Sequence, residues 1–126
     1  MSPIALAILT IVVPLTVIRV VDGDTFVAVG ANGAVKTIRV LGYDAFETRK
    51  DKRLHRQAVA SGISDSSALQ RGLQCKKLVA SIIDGKNVNV YVKKVEYYRR
   101  ELAIVYVGAV QLKDLIPDSL KSKSIR

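Results

Sequence analysis

Short β-rich segments separated by turn residues constrain this chain more than any other feature of its sequence. Residues 16–21, 26–29 and 35–41 are rich in β-branched or aromatic side chains, and a glycine lies within two residues of the end of each. Alternating valines over 87–94 and the apolar run 102–107 predict two further strands. Five short strands in a chain of 126 residues predict one small β-rich domain with a single core.

A single amphipathic helix is predicted between the third and fourth strands. The serine pair 66–67 can cap its start, and Asp84-Gly85 supplies a stop signal. Between these signals, apolar side chains recur at helical spacing: Leu69, Leu73, Cys75, Leu78, Val79 and Ile82. This stripe predicts that the helix packs against the strands.

The remaining segments complete the expected fold. Segment 49–66 has five Lys or Arg residues in its first eight positions and continues with Gly and Ser, which predicts a mobile, basic surface loop. Residues 110–115 predict a short helix ended by Pro117, and 121–126 a frayed basic tail. Three strands, a helix, two strands and a short helix predict an α+β fold, mainly β, built as a five-stranded barrel.

The charge balance and the small number of Cys and His residues limit which partners and which metal sites are expected. The net charge is +9, and the first eighteen residues carry no charged side chain, so the excess lies on the rest of the chain. A domain this basic is expected to meet phosphate, in nucleic acid or on an anionic membrane face. With only Cys75 and His55 available, an intramolecular disulfide and a Cys- or His-based metal centre are excluded. Any metal should therefore be a hard cation held by carboxylates.

The apolar segment 1–15 has three interpretations. A signal peptide fits the apolar run, but no positive charge precedes it and the pattern Ala5 to Ala7 lies too early for cleavage. An uncleaved membrane anchor would be ended early by Pro14, and a plain extension of the first strand is the third interpretation. Export or membrane association is the favoured localisation, with a cytoplasmic protein as the alternative.

Acidic residues are few, so their grouping is informative. Asp22 and Asp24 flank a glycine between two predicted strands, and Asp44 and Glu47 follow the next strand. If the strands pair as a hairpin, both clusters lie near one end of the sheet, where converging carboxylates would bind calcium or magnesium. The alternative is ordinary turn chemistry, since Asp-Gly is a common turn pair.

Arginines and tyrosines near these acids suggest phosphate chemistry. Arg39 lies inside an apolar strand, and Arg100 begins the last strand after Tyr97 and Tyr98. Guanidinium groups bind phosphate oxygens in a bidentate way, and a carboxylate that binds no metal can take a proton from water. Together with a carboxylate-bound cation, these groups suffice for phosphodiester hydrolysis, although each arginine alone could be a solvated surface charge.

Three blocks of this sequence resemble the staphylococcal-nuclease family, whose members are built on a five-stranded oligonucleotide-binding (OB) barrel. The blocks are VIRVVDGDTF, TIRVLGYDAFET and EYYRRELAIVY, in the family's order around an intervening helix. The resemblance covers about residues 16–107. It implies a nuclease domain over 16–116 with a shortened C-terminal helical part, followed by the basic tail 117–126.

The resemblance also implies roles for individual residues. Asp24, Asp44 and the backbone carbonyl of Ala45 would be calcium ligands, and Asp22 would hold a metal-bound water. Arg39 and Arg100 match the two catalytic arginines, Glu47 matches the glutamate that activates water, and Tyr98 matches a tyrosine near the substrate phosphate. Three further substrate contacts are expected from residue type alone: Tyr97 by stacking on bases, and Lys50 and Arg53 by contact with the phosphate backbone. Departures from the family pattern include Phe46 in place of a proline and Arg99 and Glu101 beside Arg100.

The expected function is that of a monomeric, calcium-dependent nuclease that cleaves DNA, RNA or both and leaves 3′-phosphate ends. Two other classes stay open. The first is a catalytically weak nucleic-acid-binding OB module, which would need the arginines but not the carboxylates. The second is a membrane-surface protein that uses its apolar N-terminus and basic loop to contact lipid.

Overall fold

The computed structural model describes residues 12–124. The described residues form six strands, two α-helices and two short 3₁₀ turns. The strands are β1 (Val12–Asp22), β2 (Thr25–Val29), β3 (Val35–Val40), β4 (Asn87–Val95), β5 (Glu101–Val107) and β6 (Val110–Gln111). The helices α1 (Lys52–Ser61) and α2 (Asp65–Ile83) lie between β3 and β4, and the 3₁₀ turns are Leu112–Leu115 and Asp118–Leu120.

Five strands close into a mixed β-barrel of the OB-like kind, which confirms the predicted fold class. Strands β1, β2 and β3 form an antiparallel meander, and β3 then pairs in parallel with β5. Strand β4 closes the barrel because it is antiparallel to both β5 and the first half of β1. The long β1 serves two neighbours, with a register irregularity between Val17 and Arg19 where it bends from one to the other.

Helix α2 is the predicted amphipathic helix, although its cap and its buried face differ from the prediction. Ser64 caps it and accepts a hydrogen bond from the Ser67 amide, two residues before the expected cap. The fully buried side is formed by small or β-branched residues, namely Ala68, Gly72, Cys75, Val79 and Ile83, while Leu73 is exposed. Small residues face inward because the helix lies close to the loop after β3. A Cβ added at Gly72 would lie 2.4 Å from the Glu47 carbonyl oxygen.

The prediction of a mobile loop over 49–66 is wrong, because this segment contains helix α1. Asp51 caps the helix by accepting a hydrogen bond from the Leu54 amide, and Gly62 ends it with a left-handed φ of 69°. Leu54 and Ala58, one turn apart, are buried in a second small core with Phe46 and Ala68. The density of positive charge conceals this apolar stripe in the sequence, since only one face of the helix is buried.

The C-terminal segment also differs from the prediction. Residues 110–115 form β6 and a 3₁₀ turn rather than a short α-helix, and a second 3₁₀ turn begins after Pro117. The predicted frayed tail is wrong for residues 121–124, which pack along the loop after β3. Lys121 forms a β-bridge with Ala45, and the Ser122 amide donates a 2.6 Å hydrogen bond to the Asp44 carbonyl.

The predicted N-terminal segment 1–15 is described only in part. Residues from Val12 onward belong to β1, and Pro14 lies opposite Asn89 of β4 without ending the strand. Residues 1–11 lie outside the described residues, so a signal or anchor there stays a prediction. Within 12–124, neither helix has the length and apolar character needed to span a membrane.

Candidate functional site

The turn between β1 and β2 carries the first pair of acids. The Asp24 amide donates a hydrogen bond to the Asp22 carboxylate over 3.1 Å, which fixes the turn. Asp24 itself points inward, with only 4% of its surface exposed. Its carboxylate accepts hydrogen bonds from the Ala45 amide at 2.8 Å and the Thr25 hydroxyl at 3.1 Å. The turn is thereby tied to the loop that follows β3.

Arg39 lies between the two acid clusters. It is opposite Thr25 in the β2–β3 register, so its side chain emerges beside Asp24. Its Nη2 atom lies 3.2 Å from Oδ2 of Asp24 and 3.3 Å from Oδ1 of Asp44. Its Nη1 atom donates to the backbone carbonyls of Val40 and Tyr43. The predicted convergence of Asp24 and Asp44 is therefore present, with a guanidinium group at the point of convergence.

Asp44 accepts hydrogen bonds from several elements at once. Oδ1 accepts from Arg39 and from Nη2 of Arg53, the latter at 2.9 Å. Oδ2 accepts from Nε2 of Gln57 at 3.0 Å and from the Ser124 hydroxyl at 2.5 Å. A carboxylate offers about four lone-pair positions, so these donors fill it. A cation that binds Asp44 must therefore displace or share one of them.

Glu47 joins this cluster through Arg53. Nε of Arg53 lies 2.7 Å from Glu47 Oε1, while Nη2 of the same guanidinium contacts Asp44. The Glu47 amide donates a 2.8 Å hydrogen bond to Oε1 of Gln57. Arg53, expected to contact substrate, thus lies within the acid cluster and pairs with two of its carboxylates.

Arg100 shares a cleft of about 560 Å³ with Arg39 and Asp44. The wall of this cleft also includes Glu96, whose carboxylate bonds Nε of Arg100 at 2.7 Å. The Tyr98 hydroxyl donates to Glu96 at 2.7 Å and accepts from Nη2 of Arg100 at 2.9 Å. Arg100 is therefore held in place at the mouth of the cleft by two side chains from its own hairpin.

The other expected substrate contacts lie outside this cluster. Tyr97 is wholly exposed at the tip of the β4–β5 hairpin, and Lys50 is exposed just before α1. The residues that differ from the resembled pattern have local partners. Arg99 adopts a left-handed φ of 69° in the hairpin turn, and Glu101 pairs with Lys36 at 3.4 Å. Phe46 is fully buried in the second small core.

The burial of the site perturbs its acid–base chemistry. Desolvation raises the pKa of Asp24 to about 7, because burial outweighs the opposing attraction of Arg39, and the nearby Asp22 adds to the rise. Burial also raises the pKa of the Cys75 thiol to about 12, so this thiol has little thiolate character. The ionisation of the buried Asp24 carboxyl therefore depends strongly on any additional positive charge at the site.

The donors fit calcium in chemical type. Two carboxylates that face one point, with the Ala45 carbonyl beside them, are the hard oxygen ligands that calcium prefers. Among residues 12–124 no group of three or more acidic, His or Cys side chains is clustered for a metal ion, so backbone oxygen and water would complete the set. Arg39 holds the point at which Asp24 and Asp44 converge, and the ion must compete with it.

Two residues of the site are not predicted from the sequence. Gln57 falls in the predicted loop, and Ser124 in the predicted frayed tail. The signal for Gln57 is the apolar pair Leu54 and Ala58, which defines the inner face of α1 and includes position 57. No local pattern marks Ser124, because its contact with Asp44 joins residues 80 positions apart.

Comparison of the sequence with models of protein families gives no match, and comparison with curated proteins gives no significant relative.

Proposed function

We propose that this chain is a calcium-dependent nuclease that hydrolyses phosphodiester bonds of DNA, RNA or both. The observation that carries the proposal is the cleft shared by Arg39, Asp44 and Arg100. Its two guanidinium groups suit phosphate oxygens, and its carboxylate converges with that of Asp24 as a cation site requires. The net charge of +9 supports a polyanionic substrate.

Each residue of the site has its own role in the proposed hydrolysis. Asp24, Asp44 and the Ala45 carbonyl would hold the calcium ion, which supplies stabilisation of negative charge on the phosphate. Arg100 binds a phosphate oxygen and stabilises the charge that develops in the pentacovalent transition state. Arg39 also binds and stabilises the phosphate, after its guanidinium has left the carboxylates of Asp24 and Asp44 and bonded phosphate oxygens instead.

Glu47 is the proposed general base. It accepts a proton from water as the water oxygen forms a bond to phosphorus. The bond from phosphorus to the 5′ oxygen breaks and the departing 5′ oxygen takes a proton from solvent water, which leaves a 3′-phosphate on one product and a 5′-hydroxyl on the other. Arg53 is ion-paired with Glu47 at 2.7 Å and so holds the carboxylate in a fixed orientation beside Asp44.

A second candidate function is a nucleic-acid-binding OB module without catalysis. One observation favours it: the chain's own arginines already pair with the acids, since Arg39 bonds Asp24 and Asp44 and Arg53 bonds Asp44 and Glu47. Carboxylates paired in this way would repel a nucleic acid less than unpaired ones. The module would bind phosphate through the basic face and cleave nothing.

The two functions are separated by incubating the purified protein with single-stranded DNA, with calcium or with a chelator, and analysing the ends of any product. The nuclease gives calcium-dependent fragments with 3′-phosphate ends. The binding module shifts the DNA in a gel under both conditions and leaves its length unchanged. The proposal also holds that the protein is a monomer, and that it is exported or associated with a membrane through segment 1–15. Fractionation of cells that express the full chain would show in which compartment the protein lies.

A further inference from the structure

We propose that Gln57 is a positioning residue, whose side-chain amide holds the proposed calcium ligands and the proposed general base in one arrangement. The inference rests on the proposed function, because it assigns Gln57 a part in the same site. It goes beyond that function in identifying helix α1 as the element that orients the site.

Three hydrogen bonds join the Gln57 side chain to the loop after β3. Nε2 donates to Oδ2 of Asp44 at 3.0 Å and to the carbonyl of Ala45 at 2.9 Å. Oε1 accepts from the Glu47 amide at 2.8 Å. Gln57 is 1% exposed, so these hydrogen bonds are formed away from water. A buried donor or acceptor left without a hydrogen bond there lowers the stability of the folded protein most.

Only one orientation of the amide satisfies these partners. The Glu47 amide is a donor and requires the oxygen of Gln57, whereas the Asp44 carboxylate and the Ala45 carbonyl are acceptors and require the nitrogen. In a flipped amide, the nitrogen would face the Glu47 amide, which is also a donor, and the oxygen would face the acceptor oxygens of Asp44 and Ala45. The three groups thereby fix the Gln57 side chain, and the side chain in turn fixes their relative positions.

The position of Gln57 is itself well supported. Helix α1 is capped at Asp51 and anchored by Leu54 and Ala58 in the second core, which also contains Phe46 of the same loop. The amide therefore extends from a rigid element to a loop that lies outside the named strands and helices. Partners that hold metal ligands from behind commonly contribute 10–100-fold to metal affinity or activity.

The test compares Gln57→Met with the unchanged protein. Methionine has similar length but offers none of the three hydrogen bonds. Calorimetric titration with calcium alone should show an affinity about 10–100-fold lower. At saturating calcium the turnover number should fall, while KM for single-stranded DNA should stay within about twofold, because the buried Gln57 side chain does not reach substrate.

Val79→Ala is the matched control for a loss of stability. Val79 is also buried in a helix, but it belongs to the barrel core rather than to the second core beside Gln57. Its replacement should lower the melting temperature and leave calcium affinity and turnover unchanged. If Gln57→Met does not fold, Gln57→Asn provides the same comparison, because it keeps an amide that is one methylene too short to meet all three partners.

The outcomes separate this inference from the function on which it rests. If the unchanged protein binds calcium and cleaves DNA but folded Gln57→Met does both equally well, the inference is overturned and the proposed function stands. The inference is likewise overturned if Val79→Ala loses calcium affinity as strongly as Gln57→Met. If the unchanged protein neither binds calcium nor cleaves DNA, both proposals are overturned.

Discussion

Nη2 of Arg39 lies 3.3 Å from Oδ1 of Asp44, and both side chains are almost completely buried. The same nitrogen contacts Asp24 at 3.2 Å, so one guanidinium pairs with both acids of the proposed calcium site, although its single positive charge can offset only one carboxylate. A calcium ion and the guanidinium would compete for the same oxygens. Binding of the ion is therefore coupled to release of Arg39, which is the residue that the proposed chemistry needs at the phosphate.

Replacement of Arg39 should expose this coupling. Arg39→Met leaves Asp24 and Asp44 without their shared cation, and breaking a buried ion pair of this kind costs about 3–5 kcal/mol. We expect the free energy of unfolding to fall by that amount without calcium and to recover in part when calcium is added. Urea denaturation with and without calcium measures both quantities, and equal stability of variant and unchanged protein would contradict the assignment.

Ser124→Ala should raise the affinity for calcium. The Ser124 hydroxyl occupies one lone-pair position of Asp44, so its removal leaves the carboxylate one competitor fewer. Gln57 donates to the same oxygen, but it also bonds the Ala45 carbonyl and the Glu47 amide, so its removal disturbs the arrangement of the ligands as well. A hydrogen bond contributes about 1 kcal/mol, which corresponds to a change of about fivefold in the dissociation constant for calcium. Ser119→Ala is the control, because Ser119 lies in the same segment and is exposed. An affinity that falls in Ser124→Ala would show that the hydroxyl supports the site instead.

The raised pKa of Asp24 predicts a pH dependence of stability. The pKa of the folded carboxyl is about 7, against an ordinary value of 3.8, so between these values the folded state holds a proton that the unfolded state has lost. The stabilising contribution of Asp24 is thus fully present below about pH 4 and is lost as pH rises through about 7. Unfolding of the metal-free protein and of Asp24→Asn should be compared from pH 4 to 8. Parallel curves would contradict the prediction.

Gly72→Ala should destabilise the protein, although alanine is normally the better helix residue by about 1 kcal/mol. The added Cβ would lie 2.4 Å from the Glu47 carbonyl and 2.8 Å from that of Phe46, so α2 and the loop must move apart. We expect a lower melting temperature together with a lower turnover number. Gln74→Ala, an exposed change in the same helix, should leave both near their original values. A Gly72→Ala variant that is more stable than the unchanged protein would contradict this prediction, because it would show that the loop can move away without loss of stability.

The five strands of the barrel are predicted well from the sequence because their signals are local, whereas β6 lies where a short helix is predicted. The alternating valines of β4 and the turn residues around β2 specify strand and turn within a few positions, and the closed barrel follows from their order. Helix α1 is not predicted because five basic residues outweigh the capping residue Asp51 and the short stripe of Leu54 and Ala58. The buried face of α1 is narrow, so the average composition of the segment does not reveal the helix.

The candidate site is predicted only in part for the same reason. The acids follow neighbouring strand ends and Arg39 lies within β3, and antiparallel pairing of β2 with β3 is enough to place them together. The contacts that fill Asp44 come from Arg53, Gln57 and Ser124, which lie on other elements. Such contacts depend on tertiary packing and leave no periodic signal in the chain.

The central claim is tested most directly by a calcium titration of the cleavage rate for the unchanged protein beside Glu47→Gln and Arg100→Lys, with circular dichroism to verify folding. We expect saturable calcium dependence in the unchanged protein. Glu47→Gln should lose about 10²–10⁴-fold in turnover, the usual contribution of positioned proton transfer. Arg100→Lys should also lose activity, because lysine keeps the charge but not the bidentate donor pair. Cleavage that is absent, independent of calcium, or equal in all three folded proteins would contradict the proposed mechanism.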